Sequence, residues 1–237
     1  MLRYGYFVTA FIMSGFAIGL KYSEVMRQNE KERKELEEEM LNSELALLKN
    51  QISPHFFFNT LNNIYSLIGI NTDEARESVL NLSKLMRYLL YESENGDTRL
   101  SREIDFIKNY IDLMKLRLSS RITLNVTLPE NYKDLVIPPL LFIPFIENAF
   151  KHGTSLQGNS VISISMVITG KNIIFSTQNS VSRSSTEGPV PDSGIGLENV
   201  KKRLNLLFPK SHELVIEEKD LLFNVYFKLD VKEFKEA

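Results

Sequence analysis

The sequence predicts an α+β protein, and three observations predict it. An uncharged run at residues 4–20 leads into a strongly charged helical stretch. Two apolar-striped helical segments then flank a short turn at 69–75. From residue 122 the apolar period falls to two, and alternating segments interleave with two further helical stretches. The chain therefore divides into a transmembrane segment at 1–22, a coiled-coil helix at 23–50, a helical hairpin at 45–95 and an α/β sandwich at 98–232.

The bulk composition narrows the function. The chain has 237 residues, enough for one large domain or two smaller ones, and a net charge of −2 that gives no footing for nucleic acid. Cysteine is absent, which excludes disulfides and cysteine zinc sites, and with three histidines (His55, His152, His212) a histidine-rich metal site is not expected.

The uncharged run YGYFVTAFIMSGFAIGL would form a helix of about 26 Å, close to the roughly 30 Å hydrocarbon core of a bilayer. Tyr4 and Tyr22 suit the two interfaces, and Arg3 and Lys21 can snorkel. A signal peptide or a buried core helix are the rival readings. Lys21, Arg27, Lys31, Arg33 and Lys34 follow the run whereas Arg3 alone precedes it, so the positive-inside rule puts the remainder in the cytoplasm. The next stretch carries the i,i+4 pairs Glu30–Lys34, Lys31–Glu35, Arg33–Glu37 and Lys34–Glu38. Its thin apolar edge, from Leu36 through Ile52, buries little except against a second copy, hence a parallel coiled coil.

QISPHFFFNTLN, residues 51–62, sits in an otherwise helical pattern that runs to about Leu67. Pro54 would cost about 3 kcal/mol in a helix interior. The phenylalanines Phe56, Phe57 and Phe58 fan over an arc of roughly 200°, wider than one amphipathic stripe, so the segment is expected to be covered on more than one side or to meet something that comes and goes. Asn71 and Glu74 form a capping-box pattern, and Ala75, Val79, Leu82, Met86 and Leu89 form a heptad stripe. A hairpin of this kind cannot close a core alone, so two copies completing a four-helix bundle are expected. Ser101 is placed to cap a helix reaching about Leu118, with Glu103 and Asp105 in its first turn. Strands are expected at 122–128, 161–168, 172–177 and 221–229, helices at about 139–152 and 196–208, and a loop rich in Ser, Pro and Gly at 180–193.

Two stretches carry chemistry. In FIENAFKHG (145–153), Glu147 pairs with Lys151 and Asn148 with His152 at i,i+4 on an otherwise apolar helix. An amide oxygen can coordinate Mg²⁺ and a lysine can meet phosphate, or these groups simply mark a helix end in solvent before Gly153. In GIGLENVKKRL (194–204), glycines open a helix whose free N–H groups suit an anion, or form a plain N-terminal turn. Neither the dinucleotide fingerprint nor the Walker loop is present.

In their order along the chain, these boxes resemble the LytS-like sensor histidine kinases of bacterial two-component systems. QISPHFFFNTLN is similar to that family's phosphoacceptor box, IPPLLFIPFIENAFKHG to its N box and GIGLENVKKRLNLLFP to its terminal glycine box, and the resemblance spans roughly residues 40–229. It implies a dimerising phosphotransfer hairpin followed by a Bergerat-type ATP-binding sandwich. The implied reaction is autophosphorylation of His55 from ATP, then transfer to an aspartate of a response regulator receiver domain. By position, His55 matches the phosphoacceptor, Glu147 the acidic residue that orients or activates it, and Asn59 joins them in the catalytic set. Asn148 matches the Mg²⁺-binding asparagine, and Lys151 and His152 match positions near the phosphates. Gly194 and Gly196 match the glycines beneath the lid, with Leu197, Asn199 and Arg203 of the same box assigned to the nucleotide. Phe56 stands where many related kinases have an acidic residue, and Asn179 stands where an adenine-binding aspartate is usual. An amide oxygen can accept the adenine amino group's hydrogen bond, weaker by about 1 kcal/mol without the charge. The implied setting is a homodimer tethered to the bacterial inner membrane, with its catalytic part in the cytoplasm. The alternative is an ATP-binding, weakly active or phosphatase-dominant signalling scaffold on the membrane.

Overall fold

The computed structural model describes residues 19–34, 54–91, 97–154, 159–181 and 195–231. The chain separates into a unit at 1–47 and a unit at 48–237. In the first unit, residues 19–34 form one exposed helix, α1. Most of the expected membrane run, the apolar edge of the expected coiled coil and nearly all of the 180–193 loop lie outside the described residues. Among the described residues no helix is long and apolar enough to cross a membrane.

The second unit opens with helices α2 (Pro54–Ile68) and α3 (Thr72–Tyr91), joined by the expected short turn. Asn71 caps α3 as its sequence pattern predicts: its Oδ1 accepts the Glu74 N–H at 3.2 Å. The return bond differs, because the Asn71 amide, rather than a backbone N–H, donates to Glu74 Oε2 at 3.1 Å. The phenylalanine fan is covered on one side of its arc: Phe56 is buried, Phe57 half-buried and Phe58 exposed. The buried stripe of α3 is rotated from the expected heptad. Ala75, Ser78, Leu82, Leu85, Tyr88 and Leu89 face inward, whereas Val79 and Met86 are exposed. Ser78 and Tyr88 carry polar atoms, so a purely apolar template passes over them.

A short strand β1 (Thr98–Arg99) pairs antiparallel with β3 (Val136–Ile137) and introduces helix α4 (Leu100–Lys115). Ser101 is not the N-cap. Arg99 occupies that position without a side-chain bond, and the capping acceptor comes from Asp134, which takes the Ser101 N–H and hydroxyl, each at 2.9 Å. Glu103 is not a solvated first-turn charge either, being completely buried.

The main sheet runs β2-β4-β5-β7-β6, with β2 (Ile122–Thr127), β4 (Ser160–Thr169), β5 (Asn172–Ser180), β6 (His212–Lys219) and β7 (Leu222–Asp230). All neighbours are antiparallel except β2 and β4. A parallel pair needs a crossover, and helix α5 (Ile143–Gly153) lies on it. Helix α6 (Ile195–Leu207) precedes β6, the strand that sequence periodicity missed because exposed Val215, between Leu214 and Ile216, interrupts the polar alternation of its outer face. The β6–β7 hairpin turns through Asp220 and Leu221 at φ 54° and 62°, the geometry of a type I′ turn. One sheet face is apolar. Phe142 and Phe145 tilt against Phe175 and Phe227 with ring centroids 4.9–6.2 Å apart. The opposite face is polar: Ser165 bonds Ser176 at 2.8 Å, and the Gln178 amide donates to Asn224 at 2.7 Å.

The expected helix at 139–152 starts only at Ile143, because Leu140 adopts φ 57°. Its N–H and that of Leu141 donate to the Glu103 carboxyl at 3.1 and 3.0 Å, and the Tyr88 hydroxyl donates to the same group. The Arg203 guanidinium bonds the Pro139 carbonyl at 2.8 Å and adds its positive charge near Glu103. Burial nevertheless raises the Glu103 pKa above its ordinary value.

Glutamine at this position would turn an N–H₂ donor toward groups that already donate. Glu103→Gln is expected to cost about 1–3 kcal/mol of stability, read from chemical denaturation. A raised folded-state pKa gives stability present below the unfolded value of about 4.5 and lost as pH rises through the folded value. The gap between parent and variant should therefore narrow as pH rises over that window, and a gap that widens would contradict the assignment.

Candidate functional site

Helix α5 owes its position to a sequence that begins with a proline in its first turn, where a missing N–H costs nothing, and continues with an apolar face. Ile143, Phe145, Ile146, Ala149 and Phe150 sink into the sheet side. The polar residues between them are therefore carried to the rim. Gly153 ends the helix hard against the sheet: a Cβ there would lie 2.7 and 2.9 Å from Ile162 side-chain atoms and 3.2 Å from Asn179 Cβ. Its carbonyl accepts the Ser160 hydroxyl at 2.6 Å, which pins α5 to β4.

A cleft of about 360 Å³ opens between the end of α5, the start of α6 and the strands beneath. Asn148, His152 and Leu197, expected from two boxes some fifty residues apart, line it together. Val181, Glu198, Lys201, Ile216, Glu218 and Phe223 complete the lining. Sequence reading missed these. Leu197, Glu198 and Lys201 were legible as one helical face, whereas Ile216 and Glu218 required β6 to be recognised.

The other expected site residues lie elsewhere. His55 is the second residue of α2, and Asn59 is half-buried one turn later. Lys151 is exposed on α5. Gly194 falls outside the described residues, and Gly196 lies in the first turn of α6. Asn199 is half-buried on α6 without lining the cleft, and Arg203 is buried against Pro139. Asn179 is fully buried on β5. Its amide donates to the Ser180 carbonyl at 3.2 Å, and its Oδ1 has no hydrogen-bond partner among the described residues.

The electrostatics divide α5 in two. Burial pushes the Glu147 carboxyl up to about 8, against the lowering effects of a hydrogen bond with Tyr110 and the charge of Lys151. In this conformation it mostly holds a proton at pH 7, which makes it a donor rather than a base. Burial, then the neighbouring Lys151, lowers the His152 pKa, so this imidazole is neutral at pH 7. The cleft side thus presents an amide, a neutral imidazole, an ammonium and two carboxylates. Hard oxygen donors such as Asn148, Glu198 and Glu218 fit Mg²⁺, and the orphan Asn179 acceptor fits an N–H donor.

Comparison with known proteins bears on this arrangement. The Histidine kinase family matches residues 43–122. The sensor histidine kinase/phosphatase LytS of Staphylococcus aureus, in strains N315 and COL, is 33% identical over 190 residues, covering 74% of this chain. This chain belongs to the LytS-like histidine kinases. It spans about a third (32%) of the length of those relatives. Among solved structures, the histidine kinase domain from Erythrobacter litoralis EL346 gives a TM-score of 0.42 at 16% identity, covering 82% of this chain and 96% of that one. The kinase AdeS of Acinetobacter baumannii gives 0.41 at 12%, covering 85% and 98%.

In this LytS-like chain the close approach at Gly153 has a direct consequence. Gly153→Ala should force Ile162 and the end of α5 apart, at about 1–3 kcal/mol. Thermal denaturation checks this, and an unchanged melting temperature would show that the contact is easily relieved.

Proposed function

We propose that the chain is the kinase core of a two-component sensor that autophosphorylates His55 from ATP and passes the phosphoryl group to an aspartate of a response regulator. One observation carries the reading: Asn148 and His152 of one box and Leu197 of another line a single cleft, in a chain whose α2 carries the phosphoacceptor box. ATP would lie in this cleft. The Asn179 acceptor faces the adenine amino group, and Lys151 and Lys201 meet phosphate oxygens as point charges. Gly196, Leu197 and Asn199 open the helix under the phosphates, and Arg203 holds that helix to Pro139. Asn148 would hold Mg²⁺ through its amide oxygen, with Glu198 or Glu218 beside it; the bound ion neutralises charge on the phosphate oxygens.

The imidazole of His55 supplies the nucleophile. A neutral imidazole offers a lone pair, so no strong base is needed. Glu147 then serves to orient the histidine by hydrogen bonding. Asn59, one turn from His55, shares its side of α2 and is proposed to position water or phosphoryl oxygens there. A phosphatase-dominant balance is the second reading, favoured by the kinase/phosphatase description of the S. aureus relative.

The chain is also proposed to dimerise through the hairpin and to be held at the inner membrane by residues 4–20. The dimer reading rests on apolar side chains that one copy leaves uncovered. Phe58, Leu61, Tyr65 and Ile68 recur along α2 at spacings of three and four, and Val79, Met86 and Leu90 stand exposed on α3. Such stripes suit a four-helix bundle. Leu61→Glu together with Tyr65→Glu should convert a sedimenting dimer to monomer, and a parent that sediments as monomer would overturn the bundle.

The activity test incubates the full chain with γ-labelled ATP and Mg²⁺, beside His55→Gln and Asn148→Ala. Acid-labile, alkali-stable label on the parent that disappears in both variants is the expected result. ATP binding with no label would favour the phosphatase or scaffold reading, and label surviving in His55→Gln would remove His55 as the acceptor.

A further inference from the structure

Phe56 follows His55 directly, and its ring does not point into solvent or toward a second copy. It is 5% exposed and stacks on Tyr110 of α4, with centroids 5.0 Å apart and planes 19° from parallel. Tyr110 is itself 3% exposed. Its neighbours Phe106, Ile107, Ile111, Leu113 and Met114 are buried with it, so the ring has one seat. The far end of the same side chain, the hydroxyl, lies close enough to the carboxyl of Glu147 on α5 to lower that carboxyl's pKa. One rigid phenol therefore touches the helix of the proposed phosphoacceptor at one end and the residue preceding Asn148 at the other.

We propose that Tyr110 is a positioning residue through which the seating of the phosphoacceptor helix sets the orientation of Glu147. The reading that His55 is the phosphoacceptor underlies the word phosphoacceptor here; the mechanical link does not depend on it. Adjacent helical residues point about 100° apart on a stiff backbone, so α2 cannot re-aim residue 55 without moving residue 56. When Phe56 leaves its seat, the Tyr110 ring loses its cover and its hydroxyl can turn to water. Glu147 then keeps the charge of Lys151, one turn along its own helix. With Phe56 seated, the hydroxyl holds the carboxyl toward α4. Tyr110 thus reports the rotation of one helix to the polar edge of another, without itself lining the cleft.

The test uses the full chain labelled with ¹³C at the glutamate carboxyl carbon, the Glu147 resonance being assigned by Glu147→Gln. Tyr110→Phe keeps the stack and removes the hydroxyl, Phe56→Leu removes the stack and keeps the hydroxyl, and Phe56→Tyr retains a stacking ring. Tyr110→Phe and Phe56→Leu should each shift the Glu147 signal. Phe56→Leu should add no further shift in the Tyr110→Phe background, and Phe56→Tyr should leave the parent signal. A Phe56→Leu chain that melts lower but keeps the parent Glu147 signal would overturn the proposal, since the stack is then packing alone. If Tyr110→Phe does not fold, the contrast between Phe56→Leu and Phe56→Tyr decides by itself. In the same samples, labelling from ATP should fall roughly ten- to a hundredfold in Tyr110→Phe with KM for ATP unchanged, the scale of a misplaced reacting group. Coupled carboxyl signals in a parent that takes no label would sink the kinase reading and leave the positioning role standing. Label without coupling would do the reverse.

Discussion

A buried carboxylate is the interaction on which the rest of the structure depends. Glu103 is removed from water completely, a cost that only dense hydrogen bonding offsets. It receives the Tyr88 hydroxyl from α3, the Leu140 and Leu141 N–H groups from the segment before α5, and the charge of Arg203 from α6. Those partners come from separate parts of the chain, and none of them would sit where it does for local reasons. Leu140 in particular holds a left-handed backbone conformation that a leucine avoids by itself.

This one group registers both walls of the cleft. Glu103 fixes where α5 begins, and Arg203 ties α6 to Pro139, one residue earlier. Asn148 and Leu197 can then line the same space because their helices are referred to the same short strip, Pro139–Leu141. The glycine at 153 completes the arrangement by letting α5 end against β4 and β5 with no side chain between.

Helix α4 is also where the hairpin meets the sandwich. Phe56 of α2 stacks on Tyr110, and Tyr88 of α3 bonds Glu103 and packs on Phe106 at 4.6 Å. Glu103 and Tyr110 are seven residues apart, two turns on one face. Each helix of the hairpin thus reaches the N-box region through a tyrosine hydroxyl and a carboxyl on or facing α4. A hairpin held through directional bonds and ring faces has discrete seats rather than a continuous range of positions.

Local pattern decided a great deal. The α+β order, the turn at 69–75 with its Asn71 cap, four of the five main strands, and the polar boxes on α5 and α6 were all legible, because each rests on periodicity or on a side chain bonding its own backbone. Other features were decided only in three dimensions. Ser101 read as the cap of α4, Glu103 as an ordinary first-turn residue and Leu140 as helix. Each was misplaced because its conformation is set by a partner far along the chain: Asp134 for Ser101, the Leu140–Leu141 amides for Glu103, and Glu103 in turn for Leu140. The sequence by itself determined which residues could do chemistry, since that depends on side-chain type and local spacing. The tertiary structure alone decided which of them share a cleft, since that depends on buried polar groups finding donors that no local pattern encodes.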